Sequence, residues 1–158
     1  MHRWRWIATT ICAAWSVLGL LPGSAWALDP SVEPLAYAHE AWLSDDGLPH
    51  NTIHAAAQTA EGYLWFATWN GVARYNGQSF RVFNSSNTPA LGDSAFRALL
   101  MAPDGSLWLG SQRGMLYRYA DGAFSAVLPA QSTVGRILVL ADGRDGSVLV
   151  GTQGEGLY

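Results

Sequence analysis

The chain has 158 residues, enough for one domain with a real hydrophobic core. Apolar residues make up 49% and charged ones 13%, which excludes a disordered, charge-rich chain. The net charge is −3, every basic residue is arginine, and Arg3 and Arg5 sit at the extreme N-terminus. The rest is more acidic still, so no nucleic acid or anionic membrane surface is expected as a partner.

Met1 to Trp6 is a short basic start, and Ile7 to Leu21 is almost wholly apolar or small. Pro22-Gly23 breaks that run, and Ala25-Trp26-Ala27 supplies the small-x-small pattern of a cleavage site. Residues 1–27 therefore read as a secretory signal, cleaved after Ala27. The alternative is an uncleaved N-terminal anchor; in both cases the remainder is exported. The apolar run is shorter than the roughly twenty residues of a spanning helix. The single cysteine, Cys12, lies inside this segment, so the mature chain would carry no thiol.

Residues 28–36 contain Pro30 and Pro34 and read as an extended lead-in. Residues 37–43 form a plausible strand, followed by a turn at Ser44 to Pro49. Thr52 to Gln58 alternates, with Ile53, Ala55 and Ala57 apolar, as a half-buried strand does. Tyr63 to Thr68 is continuously apolar, which predicts a strand buried on both faces. Val72 to Tyr75 and Gln78 to Phe83 follow, joined by Asn76-Gly77, the strongest two-residue hairpin signal in the chain. The second copy of this plan places strands at Leu107–Ser111, Met115–Tyr119 and Phe124–Leu128, with Asp121-Gly122 as the hairpin. Phe96 stands where Ile53 stood, and Ala98 where Ala55 stood. A third copy begins near Gly135, with Val148–Thr152 as its continuous strand. No helix is expected after the signal segment.

One phrase recurs through this plan: Glu61-Gly62-Tyr63-Leu64-Trp65-Phe66-Ala67-Thr68, Asp104-Gly105-Ser106-Leu107-Trp108-Leu109-Gly110-Ser111, and Asp145-Gly146-Ser147-Val148-Leu149-Val150-Gly151-Thr152. Its glycines are 43 and 41 residues apart. Four short antiparallel strands repeating at about forty residues are the blades of a β-propeller. The fold class is therefore all-β, about two and a half blades of a longer, incomplete ring. The blades are expected at 44–86, 87–129 and, truncated, 130–158. Residues 37–43 are read as the outer strand of the last blade, closing the ring. Within the phrase, Gly62, Gly105 and Gly146 are turn residues, and Trp65, Trp108 and Leu149 fill the gaps between sheets.

The run Asp46-Gly47-Leu48-Pro49, the phrase beginning at Glu61, and Asn70-Gly71-Val72-Ala73-Arg74-Tyr75-Asn76-Gly77 together resemble the two-component regulator propeller repeat. Asp104 to Tyr119 and Asp145 to Tyr158 repeat the resemblance, with Ala67, Leu149 and Glu155 departing from the usual Gly, Trp and Gly. The resemblance implies a periplasmic sensor region of a membrane-spanning signalling protein, followed by a β-sandwich, a transmembrane helix and a cytoplasmic output. Trp42, Asp46 to Pro49 and Trp65 to Trp69 resemble members whose output is a diguanylate cyclase; a histidine kinase, often a hybrid, is the alternative. A free-standing exported scaffold or glycan-binding propeller, and a propeller enzyme, are competing readings. The implied partners are a small-molecule or glycan ligand and a second copy of the parent protein.

Trp69, Asn70, Gln112 and Arg113 fall in the turn after the second strand of their copies. Aromatic and arginine side chains at such a turn suit ligand contact, the alternative being that they cap the blade rim. His50 and His54 are four residues apart, but Pro49 and the strand after it remove the helix that would bring them onto one metal, so they read as polar loop residues. Asp142 to Gly146, and Asp45 with Asp46, read as turns rather than calcium loops. No catalytic motif and no cofactor is expected.

Overall fold

A computed structural model describes residues 40–128, 135–143 and 145–158. The signal segment, the lead-in and residues 37–39 lie outside the described residues. From Ala41 onward the chain forms one compact unit of three antiparallel sheets. The first contains β1 (Ile53–Gln58), β2 (Leu64–Thr68), β3 (Gly71–Tyr75) and β4 (Phe80–Phe83) in sequential order. The second repeats that order with β5 (Phe96–Met101), β6 (Leu107–Ser111), β7 (Leu116–Ala120) and β8 (Ala123–Leu128). The third pairs β9 (Ile137–Asp142) with β10 (Val148–Thr152). Leu157 and Tyr158 return alongside β10 as the start of a further strand, with Val150 and Tyr158 exchanging two backbone hydrogen bonds. The sheets stack in chain order, β1 beside β5 and β5 beside β9, as consecutive propeller blades.

Three letters of the recurring phrase act locally. Its acid caps the turn: Asp104 Oδ1 accepts from the Ser106 backbone at 2.9 Å, and Asp145 Oδ1 from Ser147 at 3.0 Å. Its glycine takes a left-handed backbone, with φ of 90° at Gly62, 81° at Gly105 and 84° at Gly146. Its final hydroxyl closes the next turn. Thr68 Oγ1 donates to the Gly71 carbonyl at 2.8 Å, Ser111 Oγ accepts from the Met115 N–H at 3.1 Å, and Thr152 Oγ1 donates to Gly156 at 2.8 Å. Thr68 and Ser111 are fully buried, so a missing partner there would strand a polar group.

The core lies in the seams between sheets. In β2, Trp65 and Ala67 face the second sheet and meet Phe96, Leu107, Leu109 and Tyr117. In β6 the alternation sends Leu107 and Leu109 back to that first seam. Trp108 goes forward to a second one with Ile137, Leu140 and Val150. Leu149 occupies the same place in β10 and remains 38% exposed. Gly110 is the close approach of the second seam: a Cβ there would lie 2.9 Å from Cβ of Ile137 and nearer still to its Cγ2. Gly151 works differently from Gly110. Its close neighbour is Val139 on the adjacent strand of its own sheet.

Two local expectations are corrected. Asn76-Gly77 is not a two-residue hairpin. Tyr75 pairs with Phe80, leaving a four-residue loop, and Asn76 Oδ1 accepts from the Gln78 and Ser79 N–H groups. Asp121-Gly122 is the two-residue hairpin, with both residues at positive φ (52° and 79°) between paired Ala120 and Ala123. The turn after Leu43 tightens into a single 3-10 turn, Ser44–Asp46, ended by Gly47 at φ 104°.

Glu40 to Leu43 carry no strand, but Trp42 has a defined place. Its ring packs 4.7 Å from Tyr75 and 5.9 Å, edge-on, from Phe80 on the outward face of the first sheet. Tyr119 and Phe124 are the equivalent pair in the second sheet. Trp65 packs on them at 4.9 Å and, edge-on, at 6.3 Å. Trp42 thus does for the first sheet what the preceding blade's tryptophan does for the second.

Candidate ligand-binding surfaces

Antiparallel order puts the β2–β3 and β6–β7 turns at one end of the sheets, together with the starts of β1 and β5. Trp69 and Gln112 meet there, through a residue not anticipated from sequence. The Arg97 guanidinium lies 5.3 Å from the Trp69 ring centre and donates to Gln112 Oε1 at 3.2 Å. His54 abuts the same indole edge-on at 4.6 Å. Burial, then the charge of Arg97 and of His50, hold the His54 imidazole below its ordinary pKa. His54 is therefore a strand residue rather than a loop residue, and its Nε2 is buried without a hydrogen-bond partner among the described residues.

Asn70 stands aside from this group, its Nδ2 reaching the Pro49 carbonyl at 3.5 Å. Arg113 is exposed. Its backbone N–H is held by buried Asp93, whose other oxygen accepts from Ser94 and Ala95. The crossover from the first sheet is thereby pinned to the β6–β7 turn. Arg97 and His54 share one cause: each strand slips register there, between Ile53 and Ala55 and between Phe96 and Ala98. A bulge turns its extra side chain out of the strict alternation. Bulges leave no mark in composition, but Arg97 does break an apolar strand beside Phe96. In the third sheet a similar pair forms, Arg136 donating to Gln153 Oε1 at 2.6 Å.

The opposite end holds a cleft of about 580 Å³ between the first two sheets, walled by the β1–β2, β5–β6 and β7–β8 turns. Arg74 and Arg118, the same repeat position in successive sheets, both reach it. The Arg74 guanidinium lies 4.5 Å from the Tyr63 ring centre and 5.6 Å from that of Trp65, and donates to the Tyr119 hydroxyl at 3.3 Å. Arg118 pairs with Asp104 at 2.9 Å. Hydrogen bonds from Ser106, then from Arg118, lower the Asp104 carboxyl to about 2. A carboxyl depressed in the fold favours the folded state above its unfolded pKa, and that contribution is lost as pH falls towards the folded value. A carboxyl-detected NMR titration should therefore find Asp104 still ionised at pH 3; a midpoint near the ordinary 3.8 would refute the linked Ser106 and Arg118 bonds. Among the described residues no group of three or more His, Cys, Asp or Glu is placed to hold a metal ion, and no helix is long and apolar enough to cross a membrane.

Residues 47–70 match the family model described as two component regulator propeller. The match begins at the left-handed Gly47 and runs through the first recurring phrase to Asn70. No curated protein matches the chain. Among solved structures, the chain is similar to the extracellular domain of BT4673 from B. thetaiotaomicron, described as a one component system. The two are 26% identical, with a TM-score of 0.58 over 73% of this chain. The chain spans 16% of the length of that solved chain. The sequence match over residues 47–70, the stacked four-stranded sheets and the solved neighbour agree: the chain folds as propeller blades, and one stretch of it matches the two-component regulator propeller repeat.

Proposed function

We propose that this chain is part of the exported, ligand-sensing input region of a transmembrane signalling protein. The observation that carries the reading is the regulator-propeller match at residues 47–70, set in stacked blades. It is supported by the apolar N-terminal segment with its Ala25-Trp26-Ala27 cleavage pattern, and by a solved neighbour described as an extracellular domain. The ligand is a small molecule or glycan taken at the end of the sheets that carries Trp69, Gln112, Asn70 and Arg113, with Arg97 and His54 completing the surface. The output we assign to the parent is a diguanylate cyclase, on the resemblance of Trp42, Asp46 to Pro49 and Trp65 to Trp69; a histidine kinase is the second reading. The parent acts as a homodimer. A ligand shifts such a receptor only by binding one arrangement of the pair better than the other.

Two measurements test this. Alkaline phosphatase fused after Tyr158 should be active, because that enzyme matures only outside the cytoplasm; an inactive fusion removes the export reading. In the full-length parent, Trp69→Ala with Arg97→Gln should weaken the ligand-evoked output about tenfold or more, the usual cost of losing an aromatic and an arginine contact. An unchanged response would take the ligand away from this end.

A further inference from the structure

The cleft at the other end contains an asymmetry that the repeat makes visible. In the second sheet, Trp108 Nε1 donates to Ser106 Oγ at 3.1 Å. The residue two positions before Trp65 is Tyr63, which offers no hydroxyl close to its own backbone. Trp65 is completely buried, and its Nε1–H has no hydrogen-bond partner among the described residues. The repeat thus satisfies this donor in one blade and leaves it open in the other. An unpaired buried donor costs about 1–3 kcal/mol, so a native one asks for an explanation.

The surroundings give one. Trp65 is a wall of the cleft, and Arg74 lies across the same indole. Arg74 forms no ion pair among the described residues, its one polar partner being the neutral Tyr119 hydroxyl. The cleft therefore offers an uncompensated guanidinium lying over a buried indole whose N–H is unpaired, both donors only. Around them the rim is polar and mixed, with Glu61, Asp121 and the Arg118–Asp104 pair. Its volume suits a ligand of one or two sugar rings.

We propose that this inter-blade cleft binds a hydroxyl-rich carboxylate, its carboxylate taken between the Arg74 guanidinium and the Trp65 indole N–H. Arg74 turns from Tyr119 towards the ligand, which opens the way to the indole. The rim carboxylates and Arg118 bond the hydroxyls. The exchange of Ser for Tyr at position 63 is what creates the site. It frees the donor and supplies the ring on which Arg74 rests. The cleft is a site distinct from the end that carries Trp69, and its binding does not rest on the function proposed above.

The test uses the full chain, titrated with glucuronate and with glucose as matched probes. Binding is read by calorimetry and by the indole N–H signal of Trp65 in nitrogen-edited NMR. Glucuronate should bind saturably and move that signal downfield, with glucose at least about tenfold weaker, since a charged hydrogen bond is lost. Arg74→Gln should weaken glucuronate about tenfold or more. Tyr63→Ser gives Trp65 the partner that Trp108 already has, and removes the seat of Arg74. It should weaken binding while the thermal midpoint holds or rises, so a loss cannot be ascribed to unfolding. The proposal is overturned if glucuronate does not bind, if glucose binds equally, or if Tyr63→Ser binds as the parent does. None of these results touches the sensor reading, which is judged by the exported fusion and by the Trp69 and Arg97 variants.

Discussion

Trp65→Ala should cost about 4 kcal/mol of unfolding free energy, the range for deleting a buried tryptophan with little collapse around it. Trp65 is fully buried, stacked on Phe83 at 5.6 Å and tilted against Tyr119 at 4.9 Å. Its removal therefore empties the first seam from both sides. The recurring phrase supplies its own controls. Trp108→Ala removes the same residue from the same strand position where burial is partial, so its cost should be smaller. Leu149→Ala removes a side chain that is 38% exposed, and should cost about 1 kcal/mol or less. Urea unfolding of the three variants measures the order directly. Equal costs at the three positions would contradict the seam-by-seam packing, since sequence alone treats them alike.

The second large effect is expected at Gly110. Its φ is not positive, so an added side chain meets no backbone objection; the obstacle is Ile137 across the seam. Gly110→Ala should destabilise by about 1–3 kcal/mol, as overpacking does. Gly110→Val should do worse, because its extra carbons grow from a Cβ already 3.4 Å from that of Ala98 and closer to Ile137. Ile137→Ala in the same chain should recover part of the Gly110→Ala loss, giving a coupling of about 1 kcal/mol or more in a double-mutant cycle. Additive losses would mean the two sheets do not touch there. The equivalent residue in the first sheet is Ala67, also fully buried, so that seam is already wide enough for a methyl group.

These two positions show how far the chain could be read in advance. The architecture was legible because the phrase repeats and its letters act locally: an acid and a glycine for one turn, a hydroxyl for the next. That Trp65 and Trp108 fill gaps between sheets was legible from their place in the phrase; which gap each fills is set by the strand alternation seen in the fold. Legibility failed where a residue depends on something distant in sequence or on a local slip. Asn76-Gly77 reads as a tight hairpin, yet Asn76 spends its side chain on capping a longer loop. His54 and Arg97 reach the end that carries Trp69 because their strands bulge, and a bulge is set by pairing with the next strand. Of the four turn residues singled out, the structure joins Trp69 and Gln112 through Arg97 and leaves Asn70 and Arg113 apart. The cleft was invisible for a different reason. Tyr63 and Ser106 occupy one variable letter of the phrase, and only the neighbouring indole gives that letter a meaning.

Trp42 has one further consequence. The ring that covers the first sheet comes from 33 residues before its partner Tyr75, whereas Trp65 and Tyr119 are 54 residues apart. Loop-closure entropy grows slowly with length, so the difference in cost is small, about half a kcal/mol. The difference in timing is larger, because a chain made from its N-terminus has the first pair in hand well before the second. The outward aromatic face of the first sheet can be covered while the later blades are still being made. Blades joined in chain order then each meet one finished neighbour.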